Sequence, residues 1–313
     1  MMRTVFFGSP AFSLPALQMM AESPYRPGLV VTRPDSLQGR GLRPQATPVR
    51  MLAQKLAIPT LTPVSLEEPT FLDTLRKFNP DLFVVVAFLI LPATLLALPR
   101  KGSVNIHPSL LPQYRGAAPI ERAILAGERA SGLSIFWLEE KVDQGPILAQ
   151  AAFTIGPEET AGELRQRLAC EGAKMLLCLL PRLEAGGLQG ISQEPTLASR
   201  APKIREEDAS ILWHESALTV HNRIRAMNPN PGAFTWITGK RKPLRLSIWR
   251  SRLAPYSDLE VGEVRLGSNR LAVGCGQGSI WVEELQLEGR KRLAIGEFLL
   301  GYRLQYGERW GSY

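Results

Sequence analysis

An amide and an imidazole stand two residues apart in the run Asn105-Ile106-His107-Pro108-Ser109-Leu110-Leu111-Pro112. Val104 to His107 reads as the last residues of a strand, which Pro108 ends because it has no N–H to offer the ladder. Residues i and i+2 of a strand point to one face, so Asn105 and His107 can enter one site together. The chain has only three histidines, which makes this one a candidate for proton transfer. A third group comes from Asp143 in Lys141-Val142-Asp143-Gln144-Gly145-Pro146. Alone, an Asp before Gly-Pro is most often a turn residue. Beside an imidazole, it fixes the tautomer and favours the charged ring, whose unperturbed pKa is about 6.5. Asn105 can donate a hydrogen bond to an oxyanion. With no serine or cysteine nucleophile nearby, this trio suits acyl transfer to an amine that the substrate brings. His107 then acts as base toward the amine and as acid for the leaving group.

The elements that must position these groups alternate in the first half of the chain. Thr4 to Gly8 and Gly28 to Thr32 read as strands, with helical spacing from Ala11 to Met20 and from Val49 to Leu56. A helix from Phe71 to Phe78 leads to the apolar strand Leu82 to Val86. Strands so uniformly apolar are covered on both faces, as in parallel sheets. Pro119 to Ala126 reads as a helix, and Gly132 to Leu138 and Ala149 to Ile155 as strands. A long helix over about Thr160 to Glu184 opens with a capping box, Thr160 and Glu163. Pro181 is expected to kink its last turn and Gly186-Gly187 to stop it. Cys170 and Cys178 fall on this helix and are expected to be core thiols. Residues 187–205 are polar and irregular. From Leu244 onward period-2 alternation dominates, with a turn at Gly276-Gln277-Gly278.

The expected architecture is a Rossmann-like, doubly wound, mostly parallel α/β sheet over 1–188, a linker over 189–205, and a smaller OB-like β-barrel over 206–313. Ligands of such a sheet bind beyond the carboxyl ends of its strands. Gly8-Ser9-Pro10, Asn105 with His107, and the loop after Leu138 are all expected along that edge. There is no G-x-G-x-x-G after the first strand and no Walker A lysine, which points away from dinucleotides and nucleoside triphosphates.

Bulk composition narrows the class. The apolar share of 45% fits a globular core, and no stretch approaches a membrane span. The N-terminus runs straight into a strand, so no signal peptide is expected. Three cysteines without C-x-x-C spacing argue against disulfides or a zinc knuckle, and for a reducing, cytoplasmic protein. Net charge is +3 over residues 1–200 and +5 over 201–313; between Lys203 and Arg252, 10 basic residues face 4 acidic ones. Such a stretch is either a solvated face or a footprint for a phosphate backbone.

The run Asn105-x-His107-x-Ser109-Leu110-Leu111-Pro112, continued by Tyr114-Arg115-Gly116-Ala117-Ala118-Pro119-Ile120, resembles the core of the folate-dependent formyltransferases. Phe7-Gly8-Ser9-Pro10-x-Phe12, Arg33-Pro34-Asp35, Gly39-Arg40-Gly41, Leu89-Ile90-Leu91-Pro92, Ala201-Pro202-Lys203-Ile204 and Ile224-Arg225-Ala226-Met227-Asn228-Pro229 extend the likeness over nearly the whole chain. The resemblance implies transfer of the formyl group of 10-formyltetrahydrofolate to the α-amino group of methionine on initiator tRNA. It implies Asn105, His107 and Asp143 as the catalytic trio, and a folate site lined by Ser109, Leu110, Leu111 and Pro112 with Phe88, Leu89 and Ile90. The loop from Arg33 to Arg43, with Arg40 at its tip, would reach the tRNA, and Lys203 and Arg205 would hold its backbone. No metal is implied, and a monomer is expected. Two positions depart from the family pattern. Val142-Asp143-Gln144-Gly145 replaces a Leu-Asp-Thr-Gly turn, and Phe88-Leu89 an aromatic followed by glycine.

Three other readings share parts of this pattern. A formyltransferase acting on an amino-sugar nucleotide, or a hydrolase of the same folate, would keep the trio, but the basic C-terminal domain favours tRNA. A nucleic-acid-binding relative without activity would have no need of Asn and His together. His214 and His221 are expected in surface or core roles.

Overall fold

The structure is a computed structural model that describes residues 2–38, 43–237, 243–267, 270–301 and 308–311. In chain order the strands are β1 (Thr4–Gly8), β2 (Leu29–Val31), β3 (Ser36–Gln38), β4 (Arg43–Gln45), β5 (Thr60–Leu61), β6 (Leu82–Val86), β7 (Ser103–His107), β8 (Arg115–Gly116), β9 (Ala130–Trp137), β10 (Ile147–Thr154), β11 (Arg200–Ala201), β12 (Ala233–Ile237), β13 (Leu244–Ala254), β14 (Val264–Gly267), β15 (Arg270–Gly274), β16 (Ser279–Leu287) and β17 (Arg292–Ala294). The α-helices are α1 (Leu14–Ala21), α2 (Pro48–Lys55), α3 (Pro69–Phe78), α4 (Ala93–Leu96), α5 (Pro119–Leu125), α6 (Ala161–Ala185), α7 (Ala217–Ala226) and α8 (Ile295–Gly301). The chain forms two compact units that interleave in sequence. One holds Met1–Pro119, Ser131–Phe153 and Arg165–Ala201; the other holds Ile120–Ala130, Thr154–Leu164 and Pro202–Tyr313.

The first unit is built on a seven-stranded sheet in the order β10-β9-β7-β6-β1-β2-β5. The five strands from β7 to β5 are parallel. Every residue of β1 and β6 is buried, as expected of strands covered on both faces. Val5, Phe7, Phe83 and Val85 pack on one face with Phe71, Leu72 and Leu75 of α3. On the other face, Gly172 of α6 lies so close to β7 that an added Cβ would stand 2.9 Å from Ile106 Cγ2. The mostly parallel α/β sheet read from the sequence is therefore present.

β9 departs from the parallel pattern. It pairs antiparallel to β7, with Val104 opposite Trp137 and His107 opposite Ser134. Its exit therefore lies beside the amino end of β7, about 10 Å from His107 at roughly 3.3 Å per residue. The loop that follows therefore starts at the amino end of β7 and crosses back to bring Asp143 to the expected carboxyl edge, 3.8 Å from His107.

The second unit holds the six-stranded antiparallel sheet β12-β13-β16-β15-β14, with β17 added to β16. Register shifts between Ile248 and Ser251 mark a bulge in β13, which bends a strand and increases its twist. His221 is buried, and its ring nitrogens meet Ser251 Oγ and the Pro157 carbonyl at 3.0 Å each. It is a packed, satisfied histidine, while His214 is exposed.

α6 begins as its sequence signals. Glu163 N–H bonds Thr160 Oγ1 at 3.3 Å, and Thr160 N–H bonds Glu163 Oε2 at 2.8 Å. The helix runs through Pro181 to Ala185, and Gly186 and Gly187 then take φ of +83° and +74°. The expectation that Cys170 and Cys178 lie in the core is overturned, because both are exposed. They are eight residues apart with Lys174 between them, on the outer stripe of an amphipathic helix.

The Thr160 N–H, with help from Arg250, holds the Glu163 carboxyl down to about 2. A depressed carboxyl contributes stability above its unfolded pKa and loses it as pH falls toward the folded value. In thermal melts, Glu163→Gln should be less stable than the parent at pH 7, and the gap should narrow steadily between about pH 4.5 and pH 2. Thr160→Ala should cost about 1 kcal/mol at neutral pH.

Candidate active site

β7 carries the first two groups. Its register sets Asn105 opposite Val85 of β6, so Asn105 and His107 share the face of the sheet that packs on α3, and Ile106 faces α6. His107 is 4% exposed. Its Nε2 lies 3.0 Å from the Tyr114 carbonyl oxygen. A carbonyl only accepts, so Nε2 carries the hydrogen and Nδ1 holds the lone pair of the neutral ring. Among the described residues Asn105, half-buried, gives its side-chain amide to no protein partner.

The third group reaches His107 by folding back. The loop between β9 and β10 returns Asp143 over the sheet, leaving His107 Nδ1 3.8 Å from Asp143 Oδ2. At that separation the two share no hydrogen bond, and charge attracts them only once the ring is protonated. Asp143 Oδ2 instead accepts the Gly116 N–H at 2.8 Å. The reversal demands unusual backbone. Asp143 has φ +55°, and a Cβ on Gly145 would stand 1.7 Å from the Trp137 carbonyl oxygen. Tyr114 (φ +58°) and Ala87 (φ +49°) are also left-handed. Three such non-glycine residues at one sheet edge are the kind of strain that gathers at functional sites.

Two residues unmarked by the sequence reading hold the loop after His107. Ser134 of β9 donates to the Ser109 carbonyl at 2.7 Å and accepts the Leu111 N–H at 3.0 Å. Gln150 of β10 donates to Ser134 Oγ and to the Leu111 carbonyl. A fully buried hydroxyl between Leu133 and Ile135 was the available signal for Ser134. Gln193, which bonds the loop carrying Asp143, had no local signal.

The remaining expected site residues divide. Ser109 is fully buried and its hydroxyl is spent on the Gln113 carbonyl at 2.7 Å, so it shapes the loop from within. Leu111 is buried, while Leu110 and Pro112 are half-buried. Phe88 turns inward, edge-on to Phe7 at 5.5 Å and packed on the core cluster. Leu89 and Ile90 stay open, 47% and 68% exposed, as an apolar lip after β6. Arg40 and the side chain of Arg43 lie outside the described residues. Lys203 and Arg205 are exposed in the second unit, with Arg205 ion-paired to Glu207 at 3.3 Å. Much of the positive charge between Lys203 and Arg252 is compensated, through Arg245–Glu206, Arg250–Glu163 and Arg252–Glu283. Exposed pairs of this kind are worth about 0–1 kcal/mol, so a phosphate can displace the carboxylate. Among the described residues no cluster of acidic, histidine and cysteine side chains is placed to hold a metal, and no helix is long and apolar enough to cross a membrane.

A buried imidazole with one nitrogen pinned, a facing carboxylate and an open amide meet at a strand end, the kinds of group that proton transfer and oxyanion stabilisation use. Residues 2–180 match the formyl transferase family and residues 203–303 its C-terminal domain, so the chain belongs to the formyl transferases. It is 41% identical to the methionyl-tRNA formyltransferase of Geobacter sulfurreducens over 99% of this chain and 97% of that one. It is 40% identical to the enzyme of the same name from Methylococcus capsulatus, over 99% and 100%. Among solved structures, the sugar 3N-formyl transferase WlaRD shares the fold with a TM-score of 0.66 at 18% identity, covering 93% of this chain and 99% of that one. HypX from Aquifex aeolicus, in complex with tetrahydrofolic acid, gives a TM-score of 0.66 at 18% identity; this chain spans about half its length, 98% of this chain covering 50% of that one.

Gly145→Ala tests the reversal. A methyl group against the Trp137 carbonyl should lower the urea-derived stability by about 1–3 kcal/mol through overpacking. An unchanged urea midpoint would mean that the loop has another way to turn.

Proposed function

We propose that the chain transfers the formyl group of 10-formyltetrahydrofolate to the α-amino group of methionine on initiator tRNA, supplying formylmethionyl-tRNA for translation initiation. The observation that carries this reading is the trio of Asn105, His107 and Asp143, in a chain matching named methionyl-tRNA formyltransferases from end to end. On this reading the amine nitrogen attacks the formyl carbon. The Asn105 amide donates to the oxygen on which negative charge develops. His107 Nδ1 takes the proton that the amine must lose and gives it to the folate nitrogen as its bond to the formyl carbon breaks. A new C–N bond forms, an old one breaks, and one proton crosses between the two nitrogens. Asp143 stabilises the imidazolium that exists between these steps.

The open apolar lip of Leu89 and Ile90, with Leu110 and Pro112, is proposed to receive the folate ring system. Ser109, Leu111 and Phe88 support that wall from behind. Arg40, Arg43, Lys203 and Arg205 are proposed to meet the tRNA backbone. The enzyme would work as a monomer in the cytoplasm, without a metal.

Incubation with 10-formyltetrahydrofolate and either methionyl initiator tRNA or an amino-sugar nucleotide separates this reading from its rival. Formylation of the tRNA alone is expected; formylation of the sugar alone would overturn it. His107→Ala should abolish transfer while thermal unfolding stays cooperative, and wild-type turnover in that variant would remove His107 from its role. The tRNA affinity should fall linearly in log–log with salt, with a slope of about −0.9 per phosphate contacted.

A further inference from the structure

Asp143 is held at two points. Its carboxylate accepts the Gly116 N–H, and its main-chain carbonyl accepts from Gln193 Nε2 at 2.9 Å. The same Gln193 nitrogen also bonds the Gly145 carbonyl at 2.8 Å, so one NH2 group spans the two carbonyls on either side of Gln144. At its other end, Gln193 Oε1 accepts from Arg115 Nε at 3.1 Å and from Arg115 Nη2 at 2.7 Å. The amide orientation has one solution. A guanidinium only donates, so the oxygen must face Arg115; carbonyls only accept, so the nitrogen must face the loop. Gln193 is 9% exposed, and water competes little for these bonds.

The contacts form a closed ring. Arg115 and Gly116 are consecutive residues of β8; one reaches Asp143 through Gln193, the other bonds its carboxylate directly. β8 pairs in parallel with β11, and Ser199, just before β11, accepts the Tyr114 N–H through its hydroxyl at 2.9 Å. Tyr114 is the residue whose carbonyl pins His107. Residues 193–201, polar and irregular in sequence, thus hold both partners of the imidazole.

We propose that Gln193 is a positioning residue of the formyl-transfer site, fixing Asp143 against Nδ1 of His107 through the carbonyls of Asp143 and Gly145. The proposal rests on the reading of Asp143 and His107 as reacting groups. Without the two donated bonds, the Gly116 N–H alone holds the carboxylate, and the left-handed backbone at Asp143 is free to relax and draw it away from the imidazole. Gln193→Glu isolates this function. Its carboxylate keeps the bonds to Arg115, matches the amide in shape, and has no hydrogen for either carbonyl.

The test is a double-mutant cycle in the full-length chain, assayed by formylation of methionyl initiator tRNA from 10-formyltetrahydrofolate. Gln193→Glu should lower kcat about tenfold to a hundredfold, the scale of a small misplacement of a reacting group. KM for both substrates should stay within about twofold, because the loss is confined to the reacting step. In an Asp143→Ala background the same substitution should change kcat by less than about twofold, since its target is gone. A full Gln193→Glu effect in both backgrounds, or no effect with Asp143 present, overturns the proposal. If Asp143→Ala and His107→Ala themselves turn over at the parent rate, the reading of the site fails, and the positioning role with it. Should Gln193→Glu fail to melt cooperatively, Arg115→Met, which frees the amide to turn, goes through the same cycle. An effect that persists without Asp143 again overturns the assignment.

Discussion

The site depends on one hydrogen bond, from Nε2 of His107 to the carbonyl of Tyr114. It fixes which nitrogen of the ring can exchange a proton and holds the ring plane over the end of β7. A free histidine would divide itself between tautomers and rotamers; this one is committed before substrate arrives. The commitment has a local cost, because Tyr114 turns its carbonyl inward only by taking a left-handed backbone. That conformation costs about 1–3 kcal/mol and persists because surrounding bonds over-determine it. Ser199 on the Tyr114 N–H is one of those bonds.

On the proposed reading Nδ1 is the working atom, and much of the first unit serves to bring charge to it. The antiparallel run of β9 delivers the chain to the wrong end of β7, so the loop carrying Asp143 must fold back over the sheet. Gly145 permits that path, the Gly116 N–H receives the carboxylate, and Gln193 braces the backbone. The 3.8 Å left between carboxylate and imidazole matters as much as the contact. A direct hydrogen bond would occupy Nδ1; at this distance the atom is left open on the proposed reading.

Much of the scaffold was legible in sequence because its signals are local. The apolar runs of β1 and β6, the proline after His107 and the capping box at Thr160 each act within a few residues, and each lies where read. The Asn105–His107 pair was legible for the same reason, since strand alternation alone puts the two on one face. What failed was non-local. Nothing in Gly132 to Leu138 says antiparallel, so the long way back by which the loop reaches the carboxyl edge was not legible. Cys170 and Cys178 have the chemistry of core residues but fall on the outer stripe of α6, and helical phase outweighed polarity. Phe88 turns edge-on to Phe7 after the left-handed Ala87, a direction that its sequence neighbours do not signal. Gln193 sits 50 residues from the loop it bonds, beyond any spacing rule.

The central claim is that His107 works through Nδ1 because Tyr114 holds Nε2. The direct measurement is the ¹⁵N spectrum of the His107 ring in the full-length protein, assigned by comparison with His107→Gln. The account predicts that the neutral ring carries its hydrogen on Nε2, and that Nδ1 alone gains a proton as the pH is lowered. A neutral ring carrying its hydrogen on Nδ1 would contradict it.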